Sequence, residues 1–412
     1  MRAALALLIA STAAVANAQF AVRDGDRVAF YGDSITDNGA YTAFVETFVV
    51  TRFPEWNVRF FNAGVGGDRV SGGALGPVDE RLARDLFSRK PTLVTVMLGM
   101  NDAGYREFHP PLFENFQKGY RHILDRFKSE IPKARVWLIK PSPFDDVTRA
   151  PTLNGGYNSV LLKYSDEVAQ VAREYGHWTA DFNYPVADAL YRAYSLDAAS
   201  SARIIPDRVH PGMAGHLIMA AALLKAWKAP ARDMEVGIDA PSGAVKASGA
   251  SVTQLKPGDT LEWTQLDDFL PFPIDRRDPL TTLVVNSAPI VEEVFGKQLL
   301  RVSGLKPGNY ALTIDTQPIG TFDATALAAG VDLAKVDTPM LRQALDVHVL
   351  TDRRKNMKWS LWRNVEFGLQ KFPSRERSDA IAATGRLEED VIRRQHDLAK
   401  PKPRRFRLAP VP

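Results

Sequence analysis

From about Val28 to Trp227 the chain alternates short β-rich runs with longer stretches whose apolar residues recur every three or four positions. Val28–Tyr31, Val58–Phe61, Leu93–Leu98, Arg135–Ile139 and Trp178–Phe182 read as strands. Between them Tyr41–Phe53, Leu112–Glu130 and Ser159–Tyr175 read as helices. Repeated strand-then-helix order predicts a parallel sheet covered by helices on both faces. Ligands of such sheets sit beyond the carboxyl ends of the strands, so the segments that follow the first three strands are the ones to inspect.

The pattern changes near Lys228-Ala-Pro-Ala-Arg232. Turn signals at Pro257-Gly258-Asp259, Pro307-Gly308-Asn309 and Pro318-Ile-Gly320 separate β-like runs that include Thr281–Val285, Leu299–Val302 and Tyr310–Ile314. This predicts a β-rich unit over 232–324, a small sandwich or barrel, after a first domain over 19–231. Residues 325–400 turn helical and charged, and 401–412 read as a disordered tail. Trp359 and Trp362, set among basic residues, are expected to pack against the β-rich unit, with sugar-ring binding as the alternative.

The composition, 45% hydrophobic and 24% charged over 412 residues, is that of a protein with a sizeable core. The net charge of +4 is small, and the basic residues of Arg393-Arg394 and Arg404–Arg407 read as a solvated tail with no interleaved aromatic patch, so no nucleic-acid partner is expected. Arg2, the apolar run Ala3–Ala10 and the small residues ending Ala16-Asn17-Ala18 have the order of a secretory signal peptide over 1–18. A secreted or periplasmic protein follows, and no other segment reads as a membrane span. With no cysteine, its stability in an oxidising compartment rests on packing.

Four segments carry candidate chemistry. Gly32-Asp33-Ser34-Ile35-Thr36 follows the first strand, where a serine in the turn into a helix is exposed at the top of the sheet; the same residues also suit an ordinary helix cap. The glycine-rich turn Asn62–Asp68 follows the second strand and lets a backbone N–H approach a ligand closely. Gly99-Met100-Asn101-Asp102 follows the third and offers a side-chain amide donor. In Asp207-Arg208-Val209-His210, an aspartate three residues before a histidine can bond one ring nitrogen and leave the other free to accept a serine proton. The remaining histidines form no H-x-x-x-H pair, so no metal or cofactor is expected, and His216 reads as a packing or surface residue. No G-x-S-x-G elbow surrounds Ser34. The loop Lys140–Arg149 is open to two readings, substrate contact or rigid crossover.

Taken together, the four blocks resemble the SGNH hydrolases, also called GDSL esterases/lipases, over about residues 25–227. Met100 stands where the family commonly has threonine. The resemblance implies a flavodoxin-like three-layer α/β/α domain. It implies Ser34 as nucleophile, His210 as base and Asp207 as its orienting carboxylate. It also implies an oxyanion hole from the Ser34 N–H, the Gly67 N–H and the Asn101 side chain; Gly66 and Gly67 offer adjacent amides, and Gly67 is chosen because it precedes Asp68. The expected activity is hydrolysis of short-chain acetyl esters, on a small-molecule or polysaccharide substrate. A lipase or general carboxylesterase, and an inactive carbohydrate-binding relative, are the alternatives.

Overall fold

The computed structural model describes residues 19–411, and the leader expected over 1–18 lies outside them. Five parallel strands, β1 (Arg27–Gly32), β2 (Arg59–Gly64), β3 (Leu93–Met97), β4 (Arg135–Lys140) and β5 (Trp178–Asp181), form one sheet in the order β2-β1-β3-β4-β5. All five expected strands are present. β3 is buried at every position, Thr95 included, as its near-continuous apolar sequence requires when helices cover both faces. The main helices are α1 (Ser34–Asn38), α2 (Ala40–Arg52), α3 (Pro110–Glu130), α4 (Tyr157–Tyr175), α5 (Asn183–Leu196) and α6 (Met213–Ala226). An α/β/α domain results, with a β-rich region after it.

α2 decides how the two halves meet. All thirteen of its residues are buried, Glu46 and Arg52 among them. A helix covered all round needs a second layer outside it, and the C-terminal half supplies that layer. There, β6 (Met234–Asp239), β7 (Val245–Ser248), β8 (Ala250–Lys256), β9 (Leu261–Asp267), β10 (Gln298–Ser303), β11 (Asn309–Ile314), β12 (Gln317–Asp323), β13 (Val331–Asp332) and β14 (Arg404–Val411) form two sheets. Their orders are β8-β9-β14-β11-β12 and β13-β10-β6-β7. Val236, Trp263, Leu300 and Leu312 share the core of this unit, with Val50 of α2 packed into it.

Four expectations for this half are corrected. The disordered tail is instead β14, an interior strand paired antiparallel with β9 and β11. Phe406 and Leu408 are buried while Arg405 and Arg407 are exposed, and Arg404 Nη1 meets Asp315 Oδ2 at 2.8 Å. The alternation Arg405-Phe406-Arg407-Leu408 is a strand pattern that the charge and the prolines masked. Thr281–Val285 is helical, within α7 (Pro279–Ser287): Asp278 caps the N–H groups of Leu280 and Thr281, and proline occupies the first turn, which outweighs the β-branched composition. With α8 (Pro289–Phe295), α7 contributes Val284, Val285, Val291 and Phe295 to the core of the α/β/α domain, so the β-rich segment is interrupted at its middle. Pro318-Ile-Gly320 lies within β12. The chain reverses earlier, at Asp315-Thr316, whose φ values of 52° and 76° suit a two-residue hairpin turn.

The fourth correction concerns the tryptophans. α9 (Pro339–Leu361) begins in the core of the β-rich unit through Met340, Ala344 and Val347. At 1.5 Å per residue it is about 35 Å long, enough to run on across α2. His348 stacks on Phe44 with ring centroids 4.7 Å apart, and its Nδ1 lies 2.9 Å from Thr47 Oγ1. Arg354 pairs with Glu46 of α2 and, at 2.9 Å, with Glu388 of α10 (Arg375–Ala399). Trp359 and Trp362 therefore reach the α/β/α domain and not the β-rich unit: Trp359 Nε1 donates to Asp37 Oδ1 at 2.8 Å and Trp362 Nε1 to Asp85 Oδ1 at 3.2 Å.

Candidate active site

β1 ends at Gly32, where a Cβ would lie 2.3 Å from Thr36 Oγ1 and 2.8 Å from the Met97 carbonyl oxygen. Only glycine lets the strand turn this sharply into α1. Asp33 caps that helix, accepting from the Ile35 N–H at 3.0 Å, and Ser34 is its first residue. The serine N–H therefore stands among the first-turn amides that have no partner within the helix. Gly64 at the end of β2 serves the same close approach, since a Cβ there would meet the Asp37 nitrogen at 2.3 Å.

His210 comes from the loop before α6, more than 170 positions away in sequence, and its Nε2 stands 2.8 Å from Ser34 Oγ. Its Nδ1 is 2.6 Å from Asp207 Oδ2, while Asp207 Oδ1 accepts from the backbone N–H groups of Val209 and His210 at 3.0 and 2.7 Å. Burial pushes the Asp207 carboxyl up, but these bonds from His210 and Val209 outweigh it and hold the group below the usual carboxylate range. Asp207 is therefore ionised at neutral pH and fixes the ring with a proton on Nδ1, which leaves Nε2 as the acceptor facing serine.

The Lys140–Arg149 loop is a brace for this arrangement. Arg149 donates to the carbonyl oxygens of Ala202, Ile205 and Pro206 at 2.7, 3.1 and 2.9 Å. The Asp145 N–H donates to the Arg208 carbonyl at 2.8 Å, and Arg208 returns a bond to the Asp145 carbonyl at 3.1 Å. These bonds give the loop the part of a rigid crossover.

The other two blocks meet each other. Asn101 Nδ2 donates to the Asp68 carbonyl at 3.0 Å, and Asn101 Oδ1 accepts from the Tyr105 hydroxyl at 3.0 Å, so the amide is oriented from both ends. Gly67 adopts φ +77° in a turn closed by the Asp68 N–H on the Val65 carbonyl, which leaves the Gly67 amide outside that bond. Arg81, fully buried, pins this region: Nε donates to Asp68 Oδ2 and Nη2 to the Ala63 carbonyl, both at 2.8 Å, with Asp85 as a third partner. Sequence reasoning missed Arg81 and Arg149, because an isolated arginine in a helix or loop carries no pattern.

Two further carboxyls lie beneath the site. Burial, reinforced for Asp33 by Asp102 and Asp68, pushes Asp33 up to about 7, and burial pushes Asp102 up to about 7. One oxygen of each is buried without a partner among the described residues. Because the folded state holds these protons more tightly than an unfolded chain, whose aspartates titrate near 3.9, their stabilising contribution is full below about pH 4 and is lost as pH rises to about 7. Asp102→Asn keeps an oxygen for the Val70 N–H and cannot ionise. Its melting temperature relative to wild type is expected to be higher at pH 8 than at pH 5; a difference independent of pH would contradict this assignment. His216 is a packing residue, as expected. It is buried and stacked on Tyr41, accepts from the Tyr41 N–H at 3.3 Å, and is pushed down to about 3 by burial and then by Lys355 and His210. Among the described residues no three His, Asp or Glu side chains gather in a metal-binding arrangement.

A parallel-sheet domain with a histidine between a serine and an aspartate at the carboxyl ends of its strands has the form of a serine hydrolase. Residues 30–218 match the GDSL-like lipase/acylhydrolase family, and the chain carries an SGNH hydrolase domain of that family, of the esterase type. An acetylxylan esterase of Geobacillus stearothermophilus is 27% identical over 220 residues, which are 50% of this chain and 94% of that one. The structure of a gut microbial diltiazem-metabolizing enzyme is similar over 95% of this chain and 98% of its own, at 27% identity and a TM-score of 0.83. The arrangement of both halves, and not the hydrolase domain alone, is thus shared with another protein.

Proposed function

We propose that the protein is a secreted or periplasmic serine esterase that removes acetyl groups from carbohydrate or similarly sized hydroxylated substrates. The observation that carries this reading is the unbroken relay from Asp207 through His210 to Ser34 Oγ. Ser34 Oγ attacks the ester carbonyl as His210 Nε2 takes its proton. The Ser34 and Gly67 N–H groups and the Asn101 amide stabilise the negative oxygen that develops. His210 then gives the proton to the departing alcohol, leaving an acetyl group on Ser34. Water, deprotonated by the same histidine, releases acetate and restores the serine. Support for the acyl group comes from the acetylxylan esterase relative and from the small, polar loop Asp68–Gly73 near the site. Support for export is the order of charged, apolar and small residues over 1–18.

The test is an acyl series on one leaving group. Each buried methylene contributes about 0.8 kcal/mol, so an enzyme with a fatty-acyl channel gains steeply as the chain lengthens. Here kcat/KM is expected to fall from acetyl to butyryl and to be very low at octanoyl; a rise from C2 to C8 would replace this reading with a lipase. Asn101→Ala is expected to lower kcat by roughly 10²–10³ with a smaller change in KM, because its donor matters most once charge is on the oxygen. An equal effect on KM alone would remove Asn101 from the oxyanion site.

A further inference from the structure

Resting on the esterase reading above, we infer that the C-terminal end of α9 builds the leaving-group subsite, and that this subsite takes a ring-bearing alcohol whose flat face stacks on Trp359. Ser34 and His210 open into a cleft of about 480 Å³, within the size range of pockets that hold small organic ligands. Its lining includes Phe60 and Phe61 of β2 together with Trp359 and Trp362. Asp37, Asn38 and Asn62 add polar groups to the lining.

The side of the scissile bond that this cleft serves follows from its lining. His210, which has to protonate the departing alcohol, borders the cleft, whereas Gly67 and Asn101, which would hold the carbonyl oxygen, do not. The alcohol therefore extends toward α9, and the acyl group lies on the other side of Ser34.

Trp359 is held as a recognition surface would be. Its indole N–H is fixed on Asp37, three residues after Ser34, and the Arg363 guanidinium covers its ring at 5.2 Å from the centroid. Trp359 nevertheless remains 41% exposed and lines the cleft, as a stacking surface must. Sugar and aromatic rings bind to such faces, and the indole is pre-ordered, so little freedom is lost on binding. Lys355 fixes the same helix end on the Asn38 carbonyl at 3.0 Å. None of the α9 residues lies in the span 30–218 that matches the family, so this wall is an addition to the hydrolase domain.

The experiment compares two acetate esters, ethyl acetate and a mono-O-acetylated methyl xyloside, on the full mature chain. Wild type is expected to prefer the xyloside ester in kcat/KM. Trp359→Ala should reduce that preference by roughly tenfold, through KM of the xyloside ester, and Trp359→Phe should recover part of it because a flat face remains. A preference unchanged in both variants, or equal losses on both esters that phenylalanine does not reverse, would overturn the subsite while leaving the esterase intact. A wild type inert on both esters would overturn the esterase reading itself, and the subsite with it.

Discussion

Ser34→Ala is expected to lose on the order of 10³-fold or more in kcat/KM for an acetate ester while melting at nearly the wild-type temperature. The removed oxygen makes one hydrogen bond, to the exposed side of His210, so its loss leaves no buried group unsatisfied and α1 keeps its Asp33 cap. What disappears is the covalent route: the remaining donors can still polarise an ester, but water has to attack without a positioned alkoxide. A covalent serine-directed probe is expected to label the wild type and not the variant. Comparable turnover by the two proteins would remove Ser34 from the mechanism, whatever the geometry around it.

The second large effect is on stability. Arg354 is buried between α2 and α10, paired with Glu46 and Glu388, and Gln395 Nε2 also donates to Glu46 Oε1 at 3.1 Å. Burial works against the charged guanidinium, but the two carboxylates overcome it and raise its pKa. Arg354→Ala strips the main counter-charge from Glu46 and one of two from Glu388, which keeps Lys358 at 2.9 Å. Breaking a buried pair in this way costs about 3–5 kcal/mol. Urea unfolding should therefore show a clearly lower midpoint. Adding Glu46→Leu should recover much of the loss, since the orphaned charge and not the missing attraction dominates it. An Arg354→Ala midpoint equal to wild type would mean that water reaches this cluster and that α9 is held to α2 by its apolar contacts alone.

This ion pair also marks where sequence reading stops. Glu46 and Arg354 stand 308 positions apart, and nothing local to either says that it is buried. Glu46 sits in Ala40–Arg52 among apolar and hydroxyl residues, where a lone carboxylate reads as the solvent side of a helix. Its burial follows only from α9 lying over it. The tryptophans illustrate the same limit: their sequence context is basic and helical, and their neighbours, Asp37 and Asp85, belong to another domain.

What the sequence determined by itself is everything set by local periodicity and turn chemistry. The five parallel strands were legible as short β-rich runs between helical periods, and the glycines at 32, 64 and 67 stand where two of those strands turn into the candidate-site segments. The placement of Ser34, Asn101, Asp207 and His210 was legible because each follows a strand or precedes a helix in a compact block, whereas the contact between Ser34 and His210 appears only in the fold. β14 was misjudged although its two-residue alternation was present, because a strand is stable only with partners, and β9 and β11 lie far from it in sequence. α7 was misjudged for the converse reason, a cap and a proline overriding β-branched propensity. Only the tertiary structure decided which surfaces meet: Arg149 on the histidine loop, Arg81 beneath the glycine turn, and α9 across α2 to close one side of the cleft. Those contacts join residues tens to hundreds of positions apart, and burial and charge pairing between such residues are properties of the packed chain, with no counterpart in any local window of sequence.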